Sequence, residues 1–282
     1  MVEITETTKN VMKKILCFFL FFLIFQNIFT QNIEKINLIF EKILNEKNDS
    51  VKFILNDSIK TILTDVFEYE NSFSTDFKQV KYVGKITSKD NLVNIYTWNI
   101  LLENSTMFNC IIQQKNGKID FLEQKNCYKP TENQTIYPHN WYGALYYQIV
   151  PFKRKYKTYY VLAGLGEYQS ATKIKVLDVL DLHNDTLLFG HPVFFKDNKI
   201  VHSRIVFEYD ANAAMFLEYN EKKKRFEFDH LSPMRIEDDE VIPFGVDMSI
   251  CGYKQNGDYW KFIDDLDVKN KRTKKVKRYV YQ

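Results

Sequence analysis

The side chains in this chain that could do chemistry are few and widely spaced. Only five histidines are present, and none has a second histidine or cysteine at the spacing of metal ligands. There is no G-x-S-x-G motif, and Gly164 and Gly166 lack the third glycine of a nucleotide-binding loop. His230 follows Asp229, but neighbours on an extended strand point to opposite faces and cannot pair. We therefore predict no metal site and no cofactor.

The segment KIVHSRIVFEY carries the clearest polar row in the sequence. If it forms one strand, alternate side chains lie on one face, namely His202, Arg204, Val206 and Glu208. Such a row could line a binding cleft, or it could be the solvent-exposed face of a half-buried strand, which is the commoner case. We retain His202, Arg204 and Glu208 as candidate binding residues.

Aromatic residues make up 16% of the chain, a fraction that favours strands and a large core. They are concentrated in YPHNWYGALYYQIV and KYKTYYVL, and strand alternation sends them to both faces. Exposed rings beside polar groups can stack on sugars or anchor a protein partner, whereas core packing explains most of the others. The candidates for ligand contact are Trp141, Tyr142, Tyr146 and Tyr160.

The N-terminal segment has the organisation of a secretory signal peptide. Lys13 and Lys14 precede the apolar run ILCFFLFFLIF and a polar exit that reaches Gln31. The acidic residues ahead of the lysines suit a leader poorly, which indicates that Met12 is the true start. The run is shorter than the ~20 residues of a membrane-spanning helix, so we predict a leader over 1–30 that is cleaved, with a retained anchor as the alternative. The protein is then periplasmic or extracellular.

Apolar spacing changes along the remaining chain from a helical to a strand period. Residues 31–70 carry two amphipathic patterns separated by Asn48-Asp49-Ser50, which predicts a helical pair. From 71 to 282 short alternating segments separated by turns predict roughly a dozen antiparallel strands. The fold class is thus mainly β, an antiparallel meander of sandwich or propeller type preceded by two N-terminal amphipathic helices. The Pro-bounded segment 130–138 is a candidate boundary between two β subdomains.

The charge of the chain is unevenly distributed. The formal net charge is +3, and residues 269–282 hold seven Lys or Arg and no acidic residue. This basic tail could contact an anionic membrane surface, or it could form a terminal edge strand whose lysines prevent aggregation. Export argues against a nucleic-acid partner, and membrane contact is expected only through the leader or the tail.

Three cysteines follow the leader, and an odd number leaves at least one without an intrachain partner. Cys110 and Cys127 flank a predicted hairpin at Asn116-Gly117. A two-residue loop there sets Cys110 opposite Glu123, too far from Cys127 for a disulfide. We therefore predict that these two cysteines are not bonded unless the chain doubles back after Gln124.

Several longer stretches resemble a family of uncharacterised secreted proteins from Bacteroidota-type bacteria. They are SKDNLVNIYTWN, NWYGALYYQIVPFKRKYKTYYVLAGL, KVLDVL and SRIVFEYDANAAMFLEYNEKKKRFEFDHLSP, with a final aromatic hairpin, and they span roughly Val80 to Trp260. The resemblance implies export from a Gram-negative cell and a mostly β domain. It carries no catalytic residue over to this chain.

These observations predict an exported, non-catalytic binding or interaction module of the cell envelope, with a glycan or an envelope protein as its partner. The alternative is a glycan-active hydrolase that uses paired carboxylates drawn from Asp178, Asp181, Glu208 and Asp210. A third hypothesis is an envelope-tethered structural protein, which requires the helical pair to extend away from the β domain.

Overall fold

The structure, a computed structural model, describes residues 2–69, 72–124, 128–169, 172–182, 186–196, 201–232, 245–264 and 266, with the backbone alone for 2–7, 17–28, 168–169 and 248. Two helices come first, α1 (Val2–Asn45) and α2 (Asp49–Phe67). The strands that follow are β1 (Gly84–Thr87), β2 (Val93–Leu101), β3 (Thr106–Gln114), β4 (Ile119–Leu122), β5 (Leu145–Arg154), β6 (Lys157–Gln169), β7 (Thr172–Asp181), β8 (Leu188–Phe189), β9 (Phe194–Phe195), β10 (Val201–His202), β11 (Ile205–Asp210), β12 (Leu217–Asn220), β13 (Arg225–Ser232), β14 (Gly245–Asn256) and β15 (Tyr259–Ile263).

The two helices form where the apolar spacing predicts them. Asn48 caps α2, and its side-chain oxygen accepts a hydrogen bond of 2.9 Å from the Ser50 N–H, which satisfies one of the free donors of the first helical turn. The apolar stripes of both helices are buried against one face of the first sheet. The helical members of this core are Ile33, Ile36, Ile39, Phe40, Ile43, Ile59, Ile62, Leu63, Val66 and Phe67.

A buried polar chain fixes α2 on the sheet beneath it. Trp98 Nε1 donates to Asn56 Oδ1 at 2.8 Å, and Asn56 Nδ2 donates to Asn109 Oδ1 at 2.9 Å. Because these groups are buried, breaking the contact would leave polar atoms without water. The helical pair therefore lies on the β domain and does not extend away from it, contrary to the geometry that the structural-protein hypothesis requires.

The strands form three sheets, and the prediction of a mainly β, antiparallel fold after two helices is confirmed. The first sheet has the order β1-β2-β3-β4, the second the order β11-β7-β6-β5 with β8 beside β7, and the third the order β10-β9-β15-β14-β13-β12. The pair β15 and β9 is parallel, and the other pairs among the described strands are antiparallel.

The sheets are stacked, and the second sheet is covered on both faces. One apolar core lies between the first and second sheets and includes Ile95, Ile112, Leu162, Ile174 and Val176. Another lies between the second and third sheets and includes Val161, Leu177, Val179, Phe226 and Trp260. The chain therefore builds one helical layer and three β layers, more than the two sheets of a simple sandwich.

The segment KIVHSRIVFEY is not one strand, so the predicted polar row is wrong. β10 pairs with β9 in the third sheet, whereas β11 pairs with β7 in the second. Between them the N–H groups of Ser203 and Arg204 both donate to the Glu132 carbonyl, at 2.9 and 3.0 Å. The chain thus changes sheets at Arg204, and His202 and Glu208 do not share a face of one strand.

The predicted hairpin at Asn116-Gly117 forms with a register that differs by one residue from the prediction. Gln114 accepts from the Gly117 N–H at 3.0 Å, and Cys110 pairs with Leu122 and not with Glu123. The loop therefore has three residues, with Gly117 at φ +92°, as a type I turn with a bulge requires. Cys127 lies outside the described residues, as does the basic tail.

The described packing of α1 begins where the predicted leader ends. Residues 8–16 are exposed, the Phe29 ring lies 5.7 Å from that of Phe77, and Ile33 is buried against the first sheet. Among helices of the described residues, none combines the length and apolar character needed to cross a membrane.

Candidate functional site

Three of the predicted aromatic residues and one predicted basic residue meet in the core between the first and second sheets. Together with Asp178 they form what we call the buried polar network, whose members are Trp141, Tyr142, Tyr146, Asp178 and Arg204. All five are almost inaccessible to solvent. With Tyr160, which is also buried, five of the seven predicted binding residues therefore lie inside the protein, where they cannot contact a ligand directly.

An ion pair forms the centre of this network. Arg204 Nε donates to Asp178 Oδ2 at 2.8 Å, and both side chains are 0% exposed. Arg204 Nη1 also donates to the carbonyls of Thr131 and Gln134, at 2.8 and 3.0 Å. Although burial alone lowers the pKa of Arg204, the adjacent Asp178 carboxylate raises it, so the guanidinium stays charged.

The aromatic side chains extend the network by hydrogen bonds. The Tyr142 hydroxyl donates to Asp178 Oδ2 at 3.0 Å, and Trp141 Nε1 donates to the Tyr146 oxygen at 3.0 Å. The two tyrosine oxygens are 3.1 Å apart. Because the single hydroxyl hydrogen of Tyr142 is used in the hydrogen bond to Asp178, Tyr146 is the donor between the two tyrosines. Burial, and then the Asp178 charge, raises the pKa of both hydroxyls, which therefore act as hydrogen-bond donors and not as bases.

Gly190 is what allows the guanidinium to approach the neighbouring backbone. It has φ +89°, and a Cβ there would lie 2.5 Å from the Gln134 carbonyl and 3.1 Å from Arg204 Nη2. That Nη2 atom is buried without a hydrogen-bond partner among the described residues. The network thus joins β7, the segment that carries Thr131 and Gln134, and the crossing at Arg204, by which we mean the point where the chain passes from the third sheet to the second. Its role is structural.

The remaining predicted residues lie apart from one another. Tyr160 is buried, and its hydroxyl donates to Asp90 Oδ2 at 3.1 Å; burial, and then the Asp90 charge, raises its pKa. His202 Nδ1 lies 3.0 Å from a Glu132 oxygen but forms no hydrogen bond with the described residues. Glu208 forms an ion pair with Lys129 on the surface. Of the seven candidates, Glu208 alone lines the described cleft.

This cleft, which we call the edge cleft, lies beside β11 and has a volume of about 420 Å³. Phe207, Phe228, Tyr253 and Phe262 supply its aromatic floor. The charged and polar side chains around it are Lys129, Glu132, Lys196, Glu208, Asp229, His230 and Asp264. An aromatic floor surrounded by a few polar groups is the usual composition of a ligand pocket.

A hydrogen-bonded cluster beside the edge cleft was not predicted from the sequence. His230 Nδ1 lies 2.6 Å from Asp247 Oδ2, which also accepts from Ser232 Oγ at 2.5 Å, while Ser249 Oγ donates to Oδ1 at 2.6 Å. These bonds, first from Ser232, then from Ser249 and His230, lower the pKa of Asp247. Ser232 bonds to the carboxylate and not to the imidazole, so the cluster lacks the serine–histidine contact of a nucleophilic site.

An irregularity in the strands brings this cluster together. The pairing of β13 with β14 shifts between Asp229 and Leu231, and β14 has extra residues there. The bulge directs His230 away from Asp229 and toward Asp247. Strand alternation correctly excludes an Asp229–His230 pair. The residue that does pair with His230 is Asp247, seventeen positions away in the chain, and no local pattern indicates that contact.

Of the carboxylates considered for a hydrolase, Asp178 is fully buried, and Glu208 lines the edge cleft. Asp181 and Asp210 are partly exposed and do not line it. Within the described part of the chain, no three or more His, Cys, Asp or Glu side chains are grouped as metal ligands. No protein-family model, curated protein or solved structure matches the chain.

Proposed function

We propose that this chain is an exported binding module of the cell envelope, periplasmic or extracellular, that holds its ligand in the edge cleft. The observation that carries the proposal is the cleft itself, which combines an aromatic floor with a charged border. The four aromatic candidates predicted from the sequence are buried and do not line it. Sites of this composition bind by burying an apolar surface and orienting it with a few polar contacts.

The packing of α1 supports the export part of the proposal. Residues 8–16 are exposed, and near the end of the predicted leader the Phe29 ring lies 5.7 Å from that of Phe77. Removal of residues 8–16 would therefore take no buried side chain out of the core. The resemblance to secreted proteins points the same way and remains a prediction.

A non-catalytic role fits the carboxylates better than a hydrolase does. A pair of catalytic carboxyl groups must flank one substrate, yet Asp178 is held by Arg204 in the core and Glu208 is paired with Lys129. No specific observation favours catalysis by Asp178 and Glu208, and we do not carry the hydrolase hypothesis further.

The binding proposal can be tested by hydrogen–deuterium exchange on the purified full chain. Each member of a panel of soluble glucans, chitin and peptidoglycan fragments, and short peptides is added in turn. We expect at least one to slow exchange in the peptide that covers residues 205–210. Binding that protects other segments only, or no protection by any panel member, would contradict the proposal.

Export is tested separately, by fractionating a Gram-negative host that expresses the full chain and sequencing the N-terminus of the product. We expect a periplasmic species that begins near Gln31. An uncleaved species in the inner-membrane fraction would show that the leader is a retained anchor.

A further inference from the structure

The edge cleft follows the free edge of a strand. Ile205 and Phe207 point into the core shared with the third sheet, whereas Val206 packs on the opposite core. All three line the cleft, as does Glu208. Because residues from both faces of β11 border one space, that space lies along the edge of the strand and not over either face.

The backbone of this edge is open. Among the described strands, β11 is the last of the second sheet and pairs with β7 alone. On its other side, no hydrogen bond joins the backbone of residues 205–209 to any other part of the chain that the structure describes. Alternate N–H and C=O groups of an edge strand point away from the sheet, so β11 presents unpaired donors and acceptors to the cleft.

The edge of β12, one of the two terminal strands of the third sheet, is covered by side chains. The Tyr147 hydroxyl donates to the Leu217 carbonyl at 3.2 Å, and the Tyr219 N–H donates to Gln148 Oε1 at 2.8 Å. Side chains of β5 thus cover the edge of β12. Proteins usually protect their edges against pairing with other chains. At β11 the chain beside the edge contributes the Lys129 and Glu132 side chains, but no described backbone group pairs with residues 205–209.

The border of the cleft carries more negative than positive charge. The acidic side chains are Glu132, Glu208, Asp229 and Asp264, and the basic ones are Lys129 and Lys196. The four carboxylates and two ammonium groups of this border have a formal charge of −2. A basic partner complements this border, and an acidic one is repelled by it.

We infer that the edge cleft receives an extended, basic peptide segment of a second protein, which adds to β11 as a further strand. The inference rests on the proposed function and names the partner class of the same site. Backbone hydrogen bonds to residues 205–209 supply affinity, and the carboxylates select Lys or Arg at alternate positions. The partner segment needs about six residues, or roughly 20 Å, to match the edge.

The test is isothermal titration of the full chain with the synthetic peptide Ac-KVKVKVK-amide and its acidic counterpart Ac-EVEVEVE-amide. We expect the basic peptide to bind, with an affinity that falls as NaCl is raised, and the acidic one not to bind. The double variant Glu132→Gln and Glu208→Gln should bind the basic peptide about tenfold more weakly. The matched control, Glu218→Gln with Glu221→Gln on and beside β12, makes the same charge change away from the cleft and should bind normally.

Backbone pairing is distinguished from simple charge attraction by N-methylation. Successive N–H groups of a strand point to opposite edges, so methylating every second nitrogen blocks one edge of the peptide only. We expect one alternate set of N-methyl groups to abolish binding and the other set to be tolerated. Equal effects of the two sets, or equal affinity for the acidic peptide, would overturn the inference.

One competing occupant is the chain's own basic tail, residues 269–282, which lies outside the described residues. A full-length variant with its seven Lys and Arg changed to Gln tests this. If the basic peptide binds only to that variant, the tail fills the cleft and the inference of a second protein is wrong. If a glycan protects residues 205–210 while no basic peptide binds, the proposed binding function stands and the peptide inference alone fails.

Discussion

Two carboxylate–cation pairs lie close together in this molecule and differ in almost everything except their chemistry. Arg204 and Glu208 are four positions apart in the chain. The first pairs with Asp178 at 0% exposure on both sides, and the second pairs with Lys129, where the side chains are 22% and 43% exposed. The comparison shows that burial, and not the type of charge, separates a residue that holds the fold from one that can meet a ligand.

The physical reason is the fate of the charge when its partner is removed. In the core, a lone carboxylate keeps the full cost of leaving water. At the surface, solvent replaces the lost partner, and an exposed ion pair stabilises by only ~0–1 kcal/mol. The same difference assigns Arg204 to the structure of the crossing and leaves Glu208 available to the edge cleft.

The largest expected effect comes from breaking the buried pair. Arg204→Met leaves Asp178 buried without its counter-charge and removes the donors to Thr131 and Gln134. We expect a loss of about 3–5 kcal/mol in the free energy of unfolding, measured by urea denaturation. The double variant Arg204→Met with Asp178→Leu should recover a large part of it, since no lone charge remains. A single variant as stable as the parent would show that the pair does not hold the crossing.

A smaller effect should follow from crowding the same pair. Gly190→Ala combines a left-handed backbone with a Cβ against Gln134 and Arg204, and we expect it to cost about 1–3 kcal/mol. The matched control is Gly117→Ala, which also has positive φ but no atom within 4 Å of the new Cβ. The difference between the two unfolding free energies isolates the contact from the backbone strain, and equal values would contradict a close approach at Gly190.

Removing the partly exposed pair of Lys129 and Glu208 should hardly change stability. We expect Glu208→Gln to change the free energy of unfolding by less than about 1 kcal/mol, and the change should shrink further in 1 M NaCl. Urea unfolding at both salt concentrations provides the measurement. A loss as large as that of Arg204→Met would mean that the Lys129–Glu208 pair is structural, and the contrast drawn above would fail.

The smallest effect at neutral pH concerns Asp247, whose side chain is 34% exposed. Its folded pKa is lowered by Ser232, Ser249 and His230, so its stabilising contribution is complete above the unfolded carboxyl pKa of about 3.9. The contribution is lost as the pH falls from there toward the lower folded pKa. The stability difference between the parent and Asp247→Asn should therefore be smaller at pH 3 than at pH 7. Urea midpoints at the two pH values test this, and an unchanged difference would contradict it.

Local patterns predicted the elements well and the site poorly. The spacing of Ile36, Phe40 and Ile59 indicates the helical stripes, and Asn48 indicates the break, because both signals lie within a few residues of the structure they predict. The side chains of β6 and β7 are divided between the two cores as strand alternation requires. These features depend on one element at a time.

The crossing at Arg204 could not be predicted because alternation continues through it. In sequence, His202 to Glu208 is an uninterrupted strand pattern, and the Glu132 carbonyl that accepts from Ser203 and Arg204 comes from a distant segment. For the same reason the sequence does not distinguish Asp178 from a surface carboxylate, since its buried partner, Arg204, is distant in the chain. Both errors arise from tertiary contacts that override a correct local period.

The alternation of the chain between two sheets also has a mechanical consequence. After β7 and β8 in the second sheet, β9 and β10 belong to the third, β11 returns to the second, and β12 begins the third again. Neither sheet is complete until the other is nearly built. The two should therefore unfold as one cooperative unit, and a protease should find no cut between them that releases a stable half.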